Sequence, residues 1–355
     1  MVQHFAAVHG RLNLTDAIRP NEQKSSIHTP SLSFSFTQTP ARLGAPVRGE
    51  ATARAAGKVI LVGEHAVVYG ARAIAIPLLS KSMNLRIYTD RVTTPSPRVK
   101  FQISGKPVQD TLIEMIHEAF DVLGIPKFNV SIDGHSSLML GAGVGSSASL
   151  CVSVLRGLSQ VCGMSIAPAE LARLANKLER RFHGNPSGLD TSVVALEQAI
   201  LFERGRDAEA LTVNKPKGSN LPWCFALLDS AVRSPTINMV RKAEPWFTER
   251  GAAVIETFNE ITSSAARALR DGDFELLCES MTTSHALLSE AGVVTSSVQD
   301  MVDLAKRHGA STAKVTGAGG GGCILALFKA SNCDRAIAGL RESLGHGRIH
   351  PIFIP

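Results

Sequence analysis

One stretch limits the fold of this chain more than any other. Strand-like FNVSID is followed by LGAGVGSSAS and then by a run in which Leu150, Val154, Leu155, Leu158, Val161 and Cys162 share one helical face. A strand that leaves through a glycine-rich loop into a helix belongs to a mixed α and β architecture. The loop also has a chemical use. Gly141, Gly143 and Gly145 let the backbone approach a ligand closely, and the unpaired N–H groups that open the helix point outward at the same place. Anions, above all phosphates, bind such loops. This is not the G-x-x-x-x-G-K-[ST] arrangement, because Ser146 and Ser147 follow the last glycine where a lysine would stand. Hydroxyls there suit a phosphate oxygen or Mg²⁺. Taken alone, the segment also reads as a tight turn with a serine cap.

A second loop, Gly317 to Gly322, contains G-x-G-x-x-G at Gly317, Gly319 and Gly322. The dinucleotide fingerprint has to open a helix, whereas these glycines lead into Cys323-Ile-Leu-Ala-Leu-Phe, which reads as a strand. Ordering four consecutive glycines is entropically costly, so the loop is expected to let backbone come close to a ligand or to another loop.

Several charged residues keep apolar company. Lys58 precedes Val-Ile-Leu-Val, and Glu64-His65 interrupts the stretch that follows. Glu179 adjoins Leu178 of an apolar helical stripe, and Asp190 closes HGNPSGLD ahead of an apolar segment. Individually these read as a solvated flank, a turn, a surface ion pair and a helix cap. Together with two glycine loops they supply what phosphoryl transfer needs: a phosphate cradle, an oxygen ligand for a metal, a base or orienter for a hydroxyl, and a cation for developing charge.

Composition bounds the remaining choices. The 355 residues are 44% hydrophobic, enough for a sizeable core and for two domains. No apolar run approaches the ~18 residues of a membrane-spanning helix. A net charge of +6 invites a nucleic-acid reading, but half of it lies in the first 57 residues, which hold six basic and three acidic groups. Aromatics, at 5%, are also scarce for stacking on bases. The six scattered cysteines form no C-x-x-C and suggest buried thiols in a reducing, cytoplasmic compartment rather than disulfides or zinc.

Residues 1–50, rich in Ser, Thr, Pro and His, read as a poorly ordered extension without a secretory h-region. A first domain is expected over 51–220 and a second over 221–355, the latter opening with the strand WCFALLD. KVILV, AIAIPLL and NLRIYTD read as separate strands. Helical spacing marks 111–123, 168–182, 246–270, 273–290 and 297–308.

In GKVILVGEHAVVYG (57–70), GAGVGSSAS (141–149), ERRFHGNPSGLD (179–190) and KVTGAGGGGC (314–323), the chain closely resembles the GHMP kinase superfamily. The blocks stand in family order and cover the chain from about residue 55 onward. The resemblance implies an α+β, two-domain GHMP kinase fold: an N-terminal half like ribosomal protein S5 domain 2 and a C-terminal ferredoxin-like α/β domain, with the active site between them. It implies use of ATP and Mg²⁺, a small-molecule acceptor, a homodimer, and neither nucleic acid nor membrane as partner. Asp190 matches the catalytic aspartate and Lys58 its cationic partner. Gly141, Ala142, Gly143, Val144, Gly145, Ser146 and Ser147 match the triphosphate loop, and Ser147 and Glu179 the Mg²⁺ ligands. Glu64, His65, Thr236, Gly319 and Gly320 match the substrate side. Ala56 and Thr191 depart from the family's usual proline and asparagine. The expected acceptor is the primary hydroxyl of mevalonate, with phosphomevalonate or a sugar as rivals. The sugar branch would carry His-Thr-Asp-Tyr where His65-Ala-Val-Val-Tyr stands. A dinucleotide-dependent oxidoreductase could use the first loop, but it meets Ser146 where its last glycine belongs and leaves Lys58, Glu179 and Asp190 unexplained.

Overall fold

The computed structural model describes residues 49–354. The expected extension therefore lies outside the described residues, except for Gly49 and Glu50, which begin the first strand. That strand, β1 (Gly49–Val62), starts nine residues before Lys58, at which the hydropathy changes. Its early part alternates small inward residues, Ala51, Ala53 and Ala55, with exposed polar ones, a period-2 pattern that hydropathy registers only weakly. β1 runs antiparallel to β2 (Ala73–Thr93). AIAIPLL and NLRIYTD are thus one strand and not two. The register jumps from Ala56–Ser82 to Gly57–Leu78, so residues 79–81 are absorbed as a bulge.

The chain continues through β3 (Val99–Ile103), β4 (Lys106–Pro107), α1 (Asp110–Leu123), β5 (Phe128–Ser136), α2 (Ser146–Val161), α3 (Pro168–His183), α4 (Leu189–Leu196), β6 (Ile200–Phe202) and β7 (Glu209–Ala210). Among the described residues these strands form a seven-stranded sheet in which β5 and β6 both pair with β2, while β1 pairs only with β2. α2 packs on β1 and β2, and α3 and α4 pack on α2. α3 begins with Pro168 in its first turn and is followed by Gly184, the start and stop read from the sequence.

The second half comprises β8 (Trp223–Asp229), α5 (Thr236–Asp271), α6 (Phe274–Glu290), α7 (Ser296–Arg307), β9 (Thr312–Thr316), β10 (Cys323–Phe328), α8 (Cys333–Leu344) and β11 (Ile349–Ile354). Its four strands form an antiparallel sheet in the order β11-β8-β10-β9. Every residue of β8, β9 and β10 is buried, and β8 and β10 accordingly read as near-continuous apolar runs, whereas β9 buries Thr312, Lys314 and Thr316. α5 starts ten residues before the expected 246; Pro245, just before that point, lies inside the helix, and Gly251, at φ 53° and ψ −134°, breaks it into two helical segments.

β8 serves two cores. Trp223, Phe225 and Leu227 join the one that also holds the first half's sheet and helices, whereas Cys224, Ala226 and Leu228 join another with Phe247, Phe258, Val302 and Leu340. The first core thus extends across both sheets. The expectation of six free thiols is corrected at Cys224 and Cys333, which close as a disulfide between β8 and the start of α8, with Cα atoms 6.3 Å apart. Packing α8 on the sheet brings together residues too distant in sequence for spacing to reveal. Cys151, Cys162, Cys278 and Cys323 remain thiols. Among the described residues, no helix is long and apolar enough to cross a membrane.

Candidate active site

Lys58 is delivered by β1 to the foot of the first glycine loop, its backbone N–H donating to the Val144 carbonyl at 2.9 Å. Its stem lies against Gly145, the residue preceding α2, which has φ 74°. A Cβ there would stand 2.8 Å from Lys58 Cγ, so Gly145 supplies both the left-handed turn and the room for the lysine. Lys58 Nζ lies 3.1 Å from Asp190 Oδ1; the lysine side chain is 3% exposed and the aspartate 32%. Asp190 occupies the first turn of α4, where the helix N-terminus favours an anion. Thr191, the departure beside it, is buried and donates its hydroxyl to the Gly188 carbonyl at 3.2 Å. The carbonyl of Ala56, the other departure, accepts from Ser149 Oγ at 2.6 Å, tying β1 to α2.

Beside this pair, Ser147 Oγ in the first turn of α2 donates to Glu179 Oε1 at 2.7 Å and lies 3.1 Å from His183 Nε2. Glu179 is buried and is no surface ion pair; it is Arg181 that reaches Glu114 and Glu118 on α1. Burial, reinforced by the charge of Asp190, pushes the Glu179 carboxyl up to about 8, against the pull of the Ser147 hydrogen bond and Lys58. Burial likewise holds His183 below the usual imidazole value. Glu179 Oε2 is buried without a hydrogen-bond partner. A hydroxyl and a carboxylate with an orphaned oxygen fit a small hard cation that completes its shell with ligand oxygens and water. Among the described residues no three His, Cys, Asp or Glu side chains gather into a full metal cage.

The second glycine loop closes on the first. A Cβ on Gly143 would stand 3.3 Å from the Thr316 carbonyl oxygen, and one on Gly317 would stand 3.1 Å from Gly143 Cα. Of the two expected uses for such a loop, the structure displays approach to another loop. Further contacts fasten the same seam. Thr316 Oγ1 accepts from Ile60 N–H at 3.1 Å and donates to Ile60 O at 3.0 Å. His65 Nε2 lies 2.9 Å from Ala318 O. His65 itself has φ 59°, a strained value for a residue with a side chain, and burial lowers its pKa.

Glu64, expected on the substrate side, has a wholly buried side chain, with Oε1 paired to Lys314 and Oε2 enclosed without a partner. Lys314 Nζ also donates to the Val315 carbonyl at 2.6 Å. Burial raises the Glu64 pKa and lowers that of Lys314, each opposed by the other's charge. Gly319 and Gly320 pack against their own half, the Gly320 N–H donating to Val293 O at 2.8 Å. Thr236 stands exposed at the start of α5. Lys58, Asp190, Ser147 and Glu179 are therefore brought together, while Glu64 is withdrawn into the seam. Lys314, Thr316 and His183 entered the sequence reading only as letters within motifs. A lysine inside the buried strand TAKVT was the one local signal of a hidden ion pair.

Profiles for the GHMP kinases N terminal domain and the GHMP kinases C terminal region match residues 110–198 and 265–346. A mevalonate kinase of Pyrococcus furiosus is 31% identical over 315 residues, covering 81% of this chain and 91% of the relative. One from Thermococcus sibiricus is 29% identical with the same coverage. The chain belongs to the GHMP kinase family. Within that family its likeness is to the mevalonate kinases. The fold agrees: the crystal structure of L. major mevalonate kinase in complex with R-mevalonate superposes with a TM-score of 0.73 at 23% identity, covering 87% of this chain and 98% of that one.

Proposed function

We propose that this protein transfers the γ-phosphoryl group of ATP to the primary hydroxyl of mevalonate, yielding 5-phosphomevalonate and ADP. The observation that carries this reading is the Lys58–Asp190 pair at the foot of a glycine loop that opens a helix. Asp190 accepts or orients the acceptor's hydroxyl proton. Lys58 sets its ammonium beside that carboxylate and offsets the negative charge that develops on the hydroxyl. Backbone N–H groups of residues 141–147 hold phosphate oxygens. Ser147 and Glu179 would hold Mg²⁺, which when bound neutralises charge on the phosphates. His65 and Thr236 line the acceptor's side, Gly319 and Gly320 shape the wall from the second half, and Glu64 supports that side from its buried pairing with Lys314.

The two-part division at 220/221, a cytoplasmic location, a homodimeric state and the absence of nucleic acid or membrane partners belong to the same proposal. A coupled assay with mevalonate on the wild type and Asp190→Asn tests it. Wild-type turnover with mevalonate that exceeds turnover with phosphomevalonate or sugars supports the acceptor, and its absence rejects it. Substantial turnover by the asparagine variant rejects Asp190 as the required base.

A further inference from the structure

One side chain of the second half reaches the first glycine loop without a part in the reaction above. Arg233, between β8 and α5, is gripped by Asp229 through two hydrogen bonds, one from each terminal nitrogen to a different carboxylate oxygen, both 2.7 Å. Its Nε is left to donate to the Leu140 carbonyl at 2.9 Å. Leu140 immediately precedes Gly141, and its own side chain, 70% exposed, gives the loop no anchor. A Cβ on Gly141 would stand 3.4 Å from Arg233 Cδ, so the arginine stem lies along the loop backbone. Asp229 is itself fixed: its Oδ1 accepts from Ala231 N–H at 2.8 Å, and its carbonyl accepts from Arg348 Nε at 2.7 Å.

We propose that Arg233, braced by Asp229, is a positioning residue for the nucleotide. It takes up the Leu140 carbonyl and so holds the loop with its N–H groups free for the triphosphate. This rests on residues 141–147 being the nucleotide cradle. A loop that must be ordered by its ligand loses affinity to that ordering, and a carbonyl that swings toward phosphate repels it. Here the order is supplied by the other half of the chain. Because Asp229 neutralises the guanidinium, its contribution is orientation and not charge. The planar fork matters, since an ammonium cannot hold both Asp229 oxygens and the Leu140 carbonyl in one plane.

The test uses the full chain carrying Arg233→Met, Arg233→Lys or Asp229→Asn. Binding of a non-hydrolysable ATP analogue is measured by calorimetry, steady-state kinetics with both substrates are recorded, and amide exchange is followed over residues 139–147. Arg233→Met is expected to raise Kd and KM for nucleotide by about tenfold, leave kcat and KM for mevalonate within about twofold, and speed exchange in the loop but not in β8. Asp229→Asn should shift the same quantities in the same direction, and it carries the test if the methionine variant does not fold. Unchanged nucleotide affinity and loop exchange would overturn the inference, as would full restoration by Arg233→Lys or an effect confined to mevalonate. A wild-type protein that binds no ATP analogue would instead overturn the kinase reading beneath it.

Discussion

Two lysine–carboxylate pairs lie at one seam and have opposite surroundings. In Lys58–Asp190 the aspartate is a third exposed, so a ligand can reach it; in Lys314–Glu64 both side chains are fully enclosed. The same two charges can therefore do chemistry in one place and only fasten in the other. The enclosed pair loses hydration at both ends, and in the low-dielectric interior its attraction only about repays that loss. What it fixes is register: the turn after β1 docks on β9 in one arrangement, which in turn places Gly143 against Gly317.

Substitutions can break this contrast. The largest effect is expected from Asp190→Asn, which should lower kcat by about 10²–10⁴-fold while leaving the thermal midpoint nearly unchanged, read by a coupled assay and a melting curve. Next comes Lys314→Met, which strands a buried carboxylate and should cost about 3–5 kcal/mol in urea unfolding, much of it recovered when Glu64→Leu is added. If Asp190→Asn unfolded the protein as readily as Lys314→Met, the contrast between the pairs would be lost. Gly143→Ala puts a side chain at φ 80° and against the Thr316 carbonyl, so a smaller loss of about 1–2 kcal/mol is expected. Glu170→Ala, which removes a partner of Arg173 at the exposed surface, should change stability by less than about 1 kcal/mol and mark the baseline.

Much of the fold was legible where burial leaves a plain trace. β8 and β10 are almost wholly apolar, and α3 carries both its start and its stop in Pro168 and Gly184. β1 was read nine residues short because alternating alanines contrast weakly with polar neighbours, and β2 was read as two strands because a bulge is invisible to periodicity. The site was legible as residue types in family order, but not as partners. Nothing in GEH distinguishes a glutamate facing substrate from one sealed against a lysine 250 residues away. Arg233, set between valine and serine, offered no local signal, because its meaning lies in the Leu140 carbonyl. The Cys224–Cys333 bond was likewise hidden, since it depends on α8 lying over the sheet.

The hydroxyl of Thr316 on Ile60 bears on how the chain is made. Among the described residues β1 has a sheet partner on one side only, and at Ile60 both backbone groups on the free side are satisfied by a residue 256 positions later. Val144 and Ser149 already cover Lys58 N–H and the Ala56 carbonyl from within the first half, but the two Ile60 groups have to wait until the ribosome has passed β9. The second half thus completes the edge of the first, and products terminated before β9 are expected to leave those two groups unpaired.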